Sequence, residues 1–270
     1  MKIVVMTGDS QLALPIMEKL IVCPELRIVG IVRDMETDHL RLPAHKRLLS
    51  VLKYGGPPAL FASLLRRFRP SPRRAPQAAQ GNSAGGGIRD FAARHRIPIH
   101  VTGNIHWDDS LAFLRERDSD MGLVVGTRLL KRSVFETPRN GSINIHQGII
   151  PDYRGTGTVF WPLYNNEKQL GISVHGVVSQ VDSGALYLQK RIPLVYDYAK
   201  YGPRFEEFTR DVSHKLDELA VGAVVETLQG IAAGKLDPMP IDIRRGMRYR
   251  RPTWADRRRL RKILKARYAR

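Results

Sequence analysis

"KIVVMTGDSQLALPIMEKLIVCPELRIVGIV", residues 2–32, is the stretch on which the fold turns. Two β-branched runs, 2–6 and 27–32, flank "SQLALPIMEKLI" (10–21), whose apolar residues recur at helical spacing. Strand, helix and strand in that order predict a right-handed βαβ unit, and with it a parallel sheet. Working outward, further strands are expected at 97–101, 121–126, 141–146, 171–178 and 185–194, with helices at 108–117 and 157–167 between them. The sheet then has about seven strands, wider than the usual ~4–6. From Pro203 to Ala233 a long segment carries Phe208, Val212, Leu216 and Leu219 on one face, which predicts an amphipathic helix packing back on the sheet. The fold class is α/β: a Rossmann-like, open, mostly parallel sheet flanked by helices, with a basic C-terminal helix.

Composition narrows the class. A hydrophobic content of 43% over 270 residues fits a globular protein with a real core. The single cysteine, Cys23, excludes an internal disulfide and a cysteine-rich metal cluster, as suits a reducing compartment. The opening apolar run is four residues long, too short for a signal-peptide core, and no run approaches the ~18 residues of a membrane span. A soluble, cytoplasmic protein is expected.

The net charge of +18 is confined to two places. Residues 41–74 hold nine Lys or Arg and no acid; residues 244–270 hold thirteen and only Asp256. The remainder, with 22 basic and 25 acidic residues, is close to neutral. Such segments fit an anionic partner, RNA or a membrane surface, or else are solvated faces. Residues 69–87 lack apolar side chains other than alanine and are rich in Pro, Gly and Ser, so a linker is expected there. Just before it, "ALFASLLRRF" (59–68) reads as a basic amphipathic helix. At the C-terminus, Thr253 is placed to cap a helix with Asp256 in its first turn, and Leu260, Ile263, Leu264 and Tyr268 form a narrow apolar stripe. The expected organisation is a domain over 1–195, interrupted by a basic insertion at 41–88, with a helical extension over 196–270 packed on it.

The chemistry concentrates at "INIHQGIIPDYRGTG", residues 143–157. On a strand, Ile143 and Ile145 share one face while Asn144 and His146 share the other. Ligands of open parallel sheets bind outside the carboxyl ends of the strands, where this strand gives way to a glycine-rich loop. Asp182 lies on the turn between two later strands and reaches His146 if those strands are neighbours. Amide, imidazole and carboxylate without a nucleophilic serine or cysteine suit direct transfer to a substrate that brings its own nucleophile. Asn144 and protonated His146 would stabilise a developing oxyanion, and Asp182 would orient His146 and help move the proton lost by an amine. The blander readings are an Asn144 bonded only to its loop, a structural His175 in mid-strand, an Arg154 paired with Asp152, and a metal held by His146, His175 and Asp182, which leaves Asn144 idle. "MTGDSQLALP" lacks the spacing of a dinucleotide turn.

These residues resemble the folate-dependent formyltransferases, whose pattern is Asn-x-His, a short apolar turn, Leu-Pro-x-Tyr-Arg-Gly and later Asp-x-Gly. Here it reads "NIHQGIIPDYRG" and "VDSG". The resemblance spans about half the chain and implies Asn144, His146 and Asp182 as the catalytic trio. It implies 10-formyltetrahydrofolate as formyl donor, in a pocket bordered by Thr127, Arg128, Leu129, Leu130 and Val181, with no metal. It implies Tyr153, Arg154 and Gly155 as substrate contacts. The family usually has Ser two residues after the His, where this chain has Gly148, and the 41–88 insertion has no counterpart in it. After Asp182 the chain reads as a strand, a long helix and a basic helix, with little room for the second β-domain of the methionyl-tRNA enzymes. A small-molecule amine, a nucleotide-linked amino sugar by elimination, is the expected acceptor. The alternatives are formylation of an aminoacyl-tRNA, or a catalytically silent folate-fold module docking to RNA or an anionic membrane.

Overall fold

A computed structural model describes residues 1–35, 49–59, 61 and 84–268, with backbone alone at 84–86. The first strand, β1 (Lys2–Thr7), lies mid-sheet, and its buried run has no period-2 alternation because both of its faces are covered. Ile3 and Val5 point into the larger core layer; Val4 and Met6 point into a smaller one. Helix α1 (Ala13–Leu20) buries Ala13, Ile16, Met17 and Leu20 and leads to β2 (Arg27–Asp34), which pairs in parallel with β1. Residues 49–59 form α2. There follow α3 (Ala84–Arg94), β3 (Ile99–Thr102), α4 (Asp108–Glu116), β4 (Met121–Val125), α5 (Arg132–Phe135) and β5 (Ser142–His146). A short β6 (Tyr153–Gly155) and α6 (Phe160–Tyr164) precede the last two sheet strands, β7 (Gln169–Gly176) and β8 (Leu186–Pro193). The chain ends in α7 (Tyr198–Tyr201), α8 (Phe205–Ala232), β9 (Met247–Tyr249) and α9 (Trp254–Tyr268).

The sheet order is β3-β2-β1-β4-β5-β7-β8, parallel through β5 and antiparallel for the final two pairs. This is the expected seven-stranded, mostly parallel α/β sheet. A separate two-stranded ladder, β6 with β9, was not among the strands expected from sequence. Three-residue strands with one buried side give no periodic signal to read.

Helix α8 carries the long amphipathic segment. Phe208, Val212 and Leu216 are buried, Leu219 is half-buried, and the buried line continues through Ala220, Ala223, Val224 and Leu228. Its small side chains let α8 lie close to α1 and to β7 and β8. At α9 the cap is reciprocal: Asp256 N donates to Thr253 Oγ1 at 3.2 Å, and Thr253 N donates to the Asp256 carboxylate at 2.8 Å. Leu260 and Leu264 are fully buried on the body of the protein, Ile263 is partly covered, and Tyr268 stacks on Tyr198. The other side of this helix presents Arg258, Arg259, Lys262 and Lys265 to solvent.

Of the expected linker, 69–83 lies outside the described residues, whereas 84–87 belong to the first turn of α3. The basic stretch 59–68 is described only at 59 and 61, where Phe61 is exposed. The two basic segments meet: the Arg251 guanidinium lies 4.9 Å from the Tyr54 ring centre, and Gly56 packs directly on the Trp254 ring. No helix among the described residues is long and apolar enough to cross a membrane.

Candidate active site

The site forms where β5 and β7 run side by side. Their register pairs Asn144 with His175 and His146 with Ser173, so four polar side chains share one face. Ile143, Ile145 and Val174 point the other way into the main core. Ser173 serves the loop that follows β5: its hydroxyl donates to Gly148 O at 2.7 Å and accepts from Ile150 N at 3.2 Å. That loop returns as β6, whose Gly155 N–H donates to Asp182 Oδ2 at 2.8 Å.

Asp182 stands between the two imidazoles. Its carboxylate oxygens lie 3.5 Å from His146 Nδ1 and 3.5 Å from His175 Nε2. His146 Nε2 donates to Tyr153 O at 2.9 Å, and His175 Nδ1 donates to Gly176 O at 2.8 Å. Asn144 Nδ2 lies 3.3 Å from His175 Nε2, the nitrogen that also faces Asp182, so the amide is held at the edge of the cavity. His175, read from sequence as more probably structural than not, is thus part of the site. Only the β5–β7 register reveals it.

Burial holds the His146 imidazole below its ordinary pKa, against the opposing pull of Asp182 and the Tyr153 carbonyl. Burial would raise the Asp182 carboxyl, but the neighbouring imidazoles of His175 and His146 and the Gly155 N–H together outweigh it and hold it low. Asp182 is therefore the ionised partner and His146 the neutral one at rest. This modifies the expectation that His146 acts as a protonated oxyanion donor, because both of its nitrogens face protein acceptors. Among the described residues no group of three His, Cys, Asp or Glu side chains is arranged to hold a metal.

Gly148 has a structural reason. A Cβ at that position would lie 2.5 Å from His146 Nε2 and 2.6 Å from Tyr153 O, on top of the bond between them. A side chain at 148 and this orientation of His146 exclude each other.

A cavity of about 660 Å³ opens beside these groups. Its wall is made of Gly126 to Leu130 after β4, the end of β5, Gly155 and Thr156, Val177 to Asp182, and Arg248 to Arg250 of the C-terminal segment. Thr127, Arg128, Leu129, Leu130 and Val181 all line it. The Arg128 side chain is engaged elsewhere, its Nη2 donating to Asp34 Oδ1 at 2.9 Å and to Gly103 O at 3.0 Å. The buried Thr127 hydroxyl has no hydrogen-bond partner among the described residues.

Tyr153 and Arg154 correct the sequence reading: both are buried, and neither lines the cavity. The Tyr153 ring stacks on Tyr249 at 5.0 Å, and its hydroxyl donates to Glu167 at 2.7 Å. Arg154 Nη2 donates to Ile243 O at 3.2 Å and to Gly246 O at 3.4 Å rather than pairing with Asp152. Together they seat β9 against β6. Of the three expected substrate contacts only Gly155 faces the cavity.

The cleft thus lies at the carboxyl ends of a mostly parallel sheet and brings together a carboxylate between two imidazoles and the Asn144 amide. The chain matches the family model "Formyl transferase" over residues 101–221. It is 32% identical over 157 residues to methionyl-tRNA formyltransferase of Cyanothece sp., an alignment covering 57% of this chain and 44% of that protein. The chain spans about half the length of the curated relatives it matches. Among solved structures, glycinamide ribonucleotide transformylase 1 from Symbiobacterium toebii superposes with a TM-score of 0.59 at 15% identity, covering 90% of this chain and 94% of that one. An N-formyltransferase from Helicobacter canadensis, solved with folinic acid and dTDP-3-aminofucose, superposes with a TM-score of 0.53 at 13% identity, covering 92% of this chain and 71% of that one. These likenesses establish the fold.

Proposed function

We propose that this protein is a folate-dependent N-formyltransferase that moves the formyl group of 10-formyltetrahydrofolate to an amine by direct attack through a tetrahedral intermediate. The observation that carries the reading is Asp182, half-buried and ionised, 3.5 Å from each of two imidazoles at the edge of the cavity. The Asn144 amide, lining the cavity, donates to the developing oxyanion. His146, kept neutral by burial, takes the proton that the attacking amine loses and returns it to the donor's leaving nitrogen as the old C–N bond breaks. The imidazolium so formed has both N–H groups met, by Tyr153 O and by Asp182. The donor fits the wall after β4: apolar Leu129, Leu130 and Val181 suit a flat ring, and the unpartnered Thr127 hydroxyl offers it a polar contact.

For the acceptor, a nucleotide-linked amino sugar is the first candidate, being the class seen with the Helicobacter canadensis enzyme. Methionyl-tRNA, named for the curated relatives, is the competing arm. The test is thermal unfolding with and without a hydrolysis-resistant 10-formylfolate analogue, followed by an amine screen. Ligand at about 100 times its Kd adds ~2.7 kcal/mol of stability. No shift at saturating analogue, with the protein folded, would refute the folate reading.

A further inference from the structure

The C-terminal segment does more than pack on the domain, because β9 forms part of the cavity wall. We propose that Arg248 and Arg250 of this segment form an anion subsite for the acceptor, which is a phosphorylated amine whose linked phosphates lie along the two guanidinium groups. The assignment rests on the formyl-transfer reading of the cavity.

Arg248 lies on β9 and Arg250 directly follows it, and this stretch is held in place by several contacts. In the β6–β9 ladder Arg248 pairs with Arg154 and Tyr249 with Gly155. The Tyr249 ring stacks on Tyr153, and its hydroxyl accepts from Asn165 Nδ2 at 3.0 Å. Trp161 Nε1 donates to Arg250 O at 2.8 Å. Gly155 permits this approach, since a Cβ there would sit 2.3 Å from Tyr249 O. Both line the cavity, and two residues apart in extended chain their Cα atoms are about 6.6 Å apart. That spacing suits two linked phosphates better than one carboxylate.

Their charge is available. Both side chains are exposed, and Arg248 has no carboxylate within ion-pair distance among the described residues. Arg250 lies 3.6 Å from Asp256, whose same oxygen already accepts from Thr253 N and Oγ1. Asp182 is the one carboxylate lining the cavity among the described residues, and it faces the two histidines. The donor claims the wall after β4 and the loop ending at Asp182, so the β6–β9 wall falls to the acceptor. The glutamate carboxylates of the donor are the other anion that two arginines could hold.

The test compares the full-length protein with R248S/R250S, using inorganic pyrophosphate and UDP as probes and folinic acid as donor analogue, each titrated calorimetrically at fixed ionic strength. Wild type should bind pyrophosphate and UDP. The double variant should bind both at least about tenfold more weakly, as expected for losing charged hydrogen bonds, with folinic acid affinity unchanged. R248K, which keeps the charge, should fall between them, and circular dichroism checks the fold of each. Wild type that binds folinic acid but neither anion overturns the subsite, as does a double variant that binds them equally well. Loss of folinic acid affinity in the double variant reassigns the arginines to the donor and overturns it too. Anion binding that depends on these arginines, without any folinic acid binding, upholds the subsite and instead refutes formyl transfer.

Discussion

Asp182→Asn separates charge from shape in this site. Asp182 has φ +48°, a left-handed conformation that asparagine, unlike most residues, adopts readily. The new amide oxygen can keep the 2.8 Å bond from Gly155 N–H. What disappears is the negative charge 3.5 Å from His146 Nδ1. At an effective dielectric of ~20, a unit charge pair at that separation is worth about 5 kcal/mol. A positioned acid–base group contributes about 10²–10⁴ in rate, or roughly 3–5 kcal/mol, so the two magnitudes agree. We therefore expect kcat to fall by about 10²–10⁴ with donor affinity little changed, read as tetrahydrofolate release at saturating donor and amine. The pH profile should move as well. With its carboxylate partner gone, His146 is held further below its ordinary pKa, and the acid limb of kcat shifts to lower pH. A folded, donor-binding Asp182→Asn enzyme with kcat within about threefold of wild type would refute the proton-transfer role.

Gly148→Ser should force His146 off the Tyr153 carbonyl, because its Cβ would lie 2.5 Å from the ring nitrogen; a stability loss of about 1–3 kcal/mol, seen as a lower denaturation midpoint, and a drop in kcat are expected. Gly155→Ala combines φ +88° with a 2.3 Å approach to Tyr249 O, so about 1–3 kcal/mol of strain should loosen β9 and weaken pyrophosphate binding while folinic acid still binds. Thr253→Ala removes the cap of α9 and should cost about 1 kcal/mol, visible as faster amide exchange confined to that helix. Stability should also depend on pH. His146 and Asp182 are both held below their ordinary pKa values in the folded state, so the unfolded chain binds more protons across those windows. Stability then falls as pH drops below the unfolded value of each group and on through its folded value. In urea titrations His146→Gln should flatten the upper limb, and an unchanged pH dependence in that variant would count against a buried neutral imidazole.

The sheet was legible because its central strands are long, β-branched and separated by helices with clear apolar stripes; β1 announces itself by being buried on both faces. The trio at Asn144, His146 and Asp182 was legible because two polar side chains two residues apart on a strand need partners, and the loop chemistry around them is distinctive. What sequence reading missed depends on pairing across distance. Asn144 and His175 are 31 residues apart, and only the antiparallel register of β5 and β7 places them opposite each other. Before that register is known, an imidazole in mid-strand looks like any satisfied core histidine. Tyr153 and Arg154 mislead for the same reason in reverse. A loop tyrosine and arginine beside a glycine read as ligand contacts, yet their partners lie about 90 residues downstream in the turn and strand that they hold in place. The charge pattern of the last 27 residues drew attention as a block, although its members have different work. Leu260 and Leu264 fasten α9 to the body, Arg258 and Lys262 face solvent, and Arg248 and Arg250 reach the cavity. The Tyr-Arg-Gly motif is where the two halves join: its tyrosine stacks on β9, its arginine holds the turn before β9, and its glycine carries Asp182 on one side and Tyr249 on the other. Gly155 is thus the residue that touches both β9 and the Asp182 carboxylate.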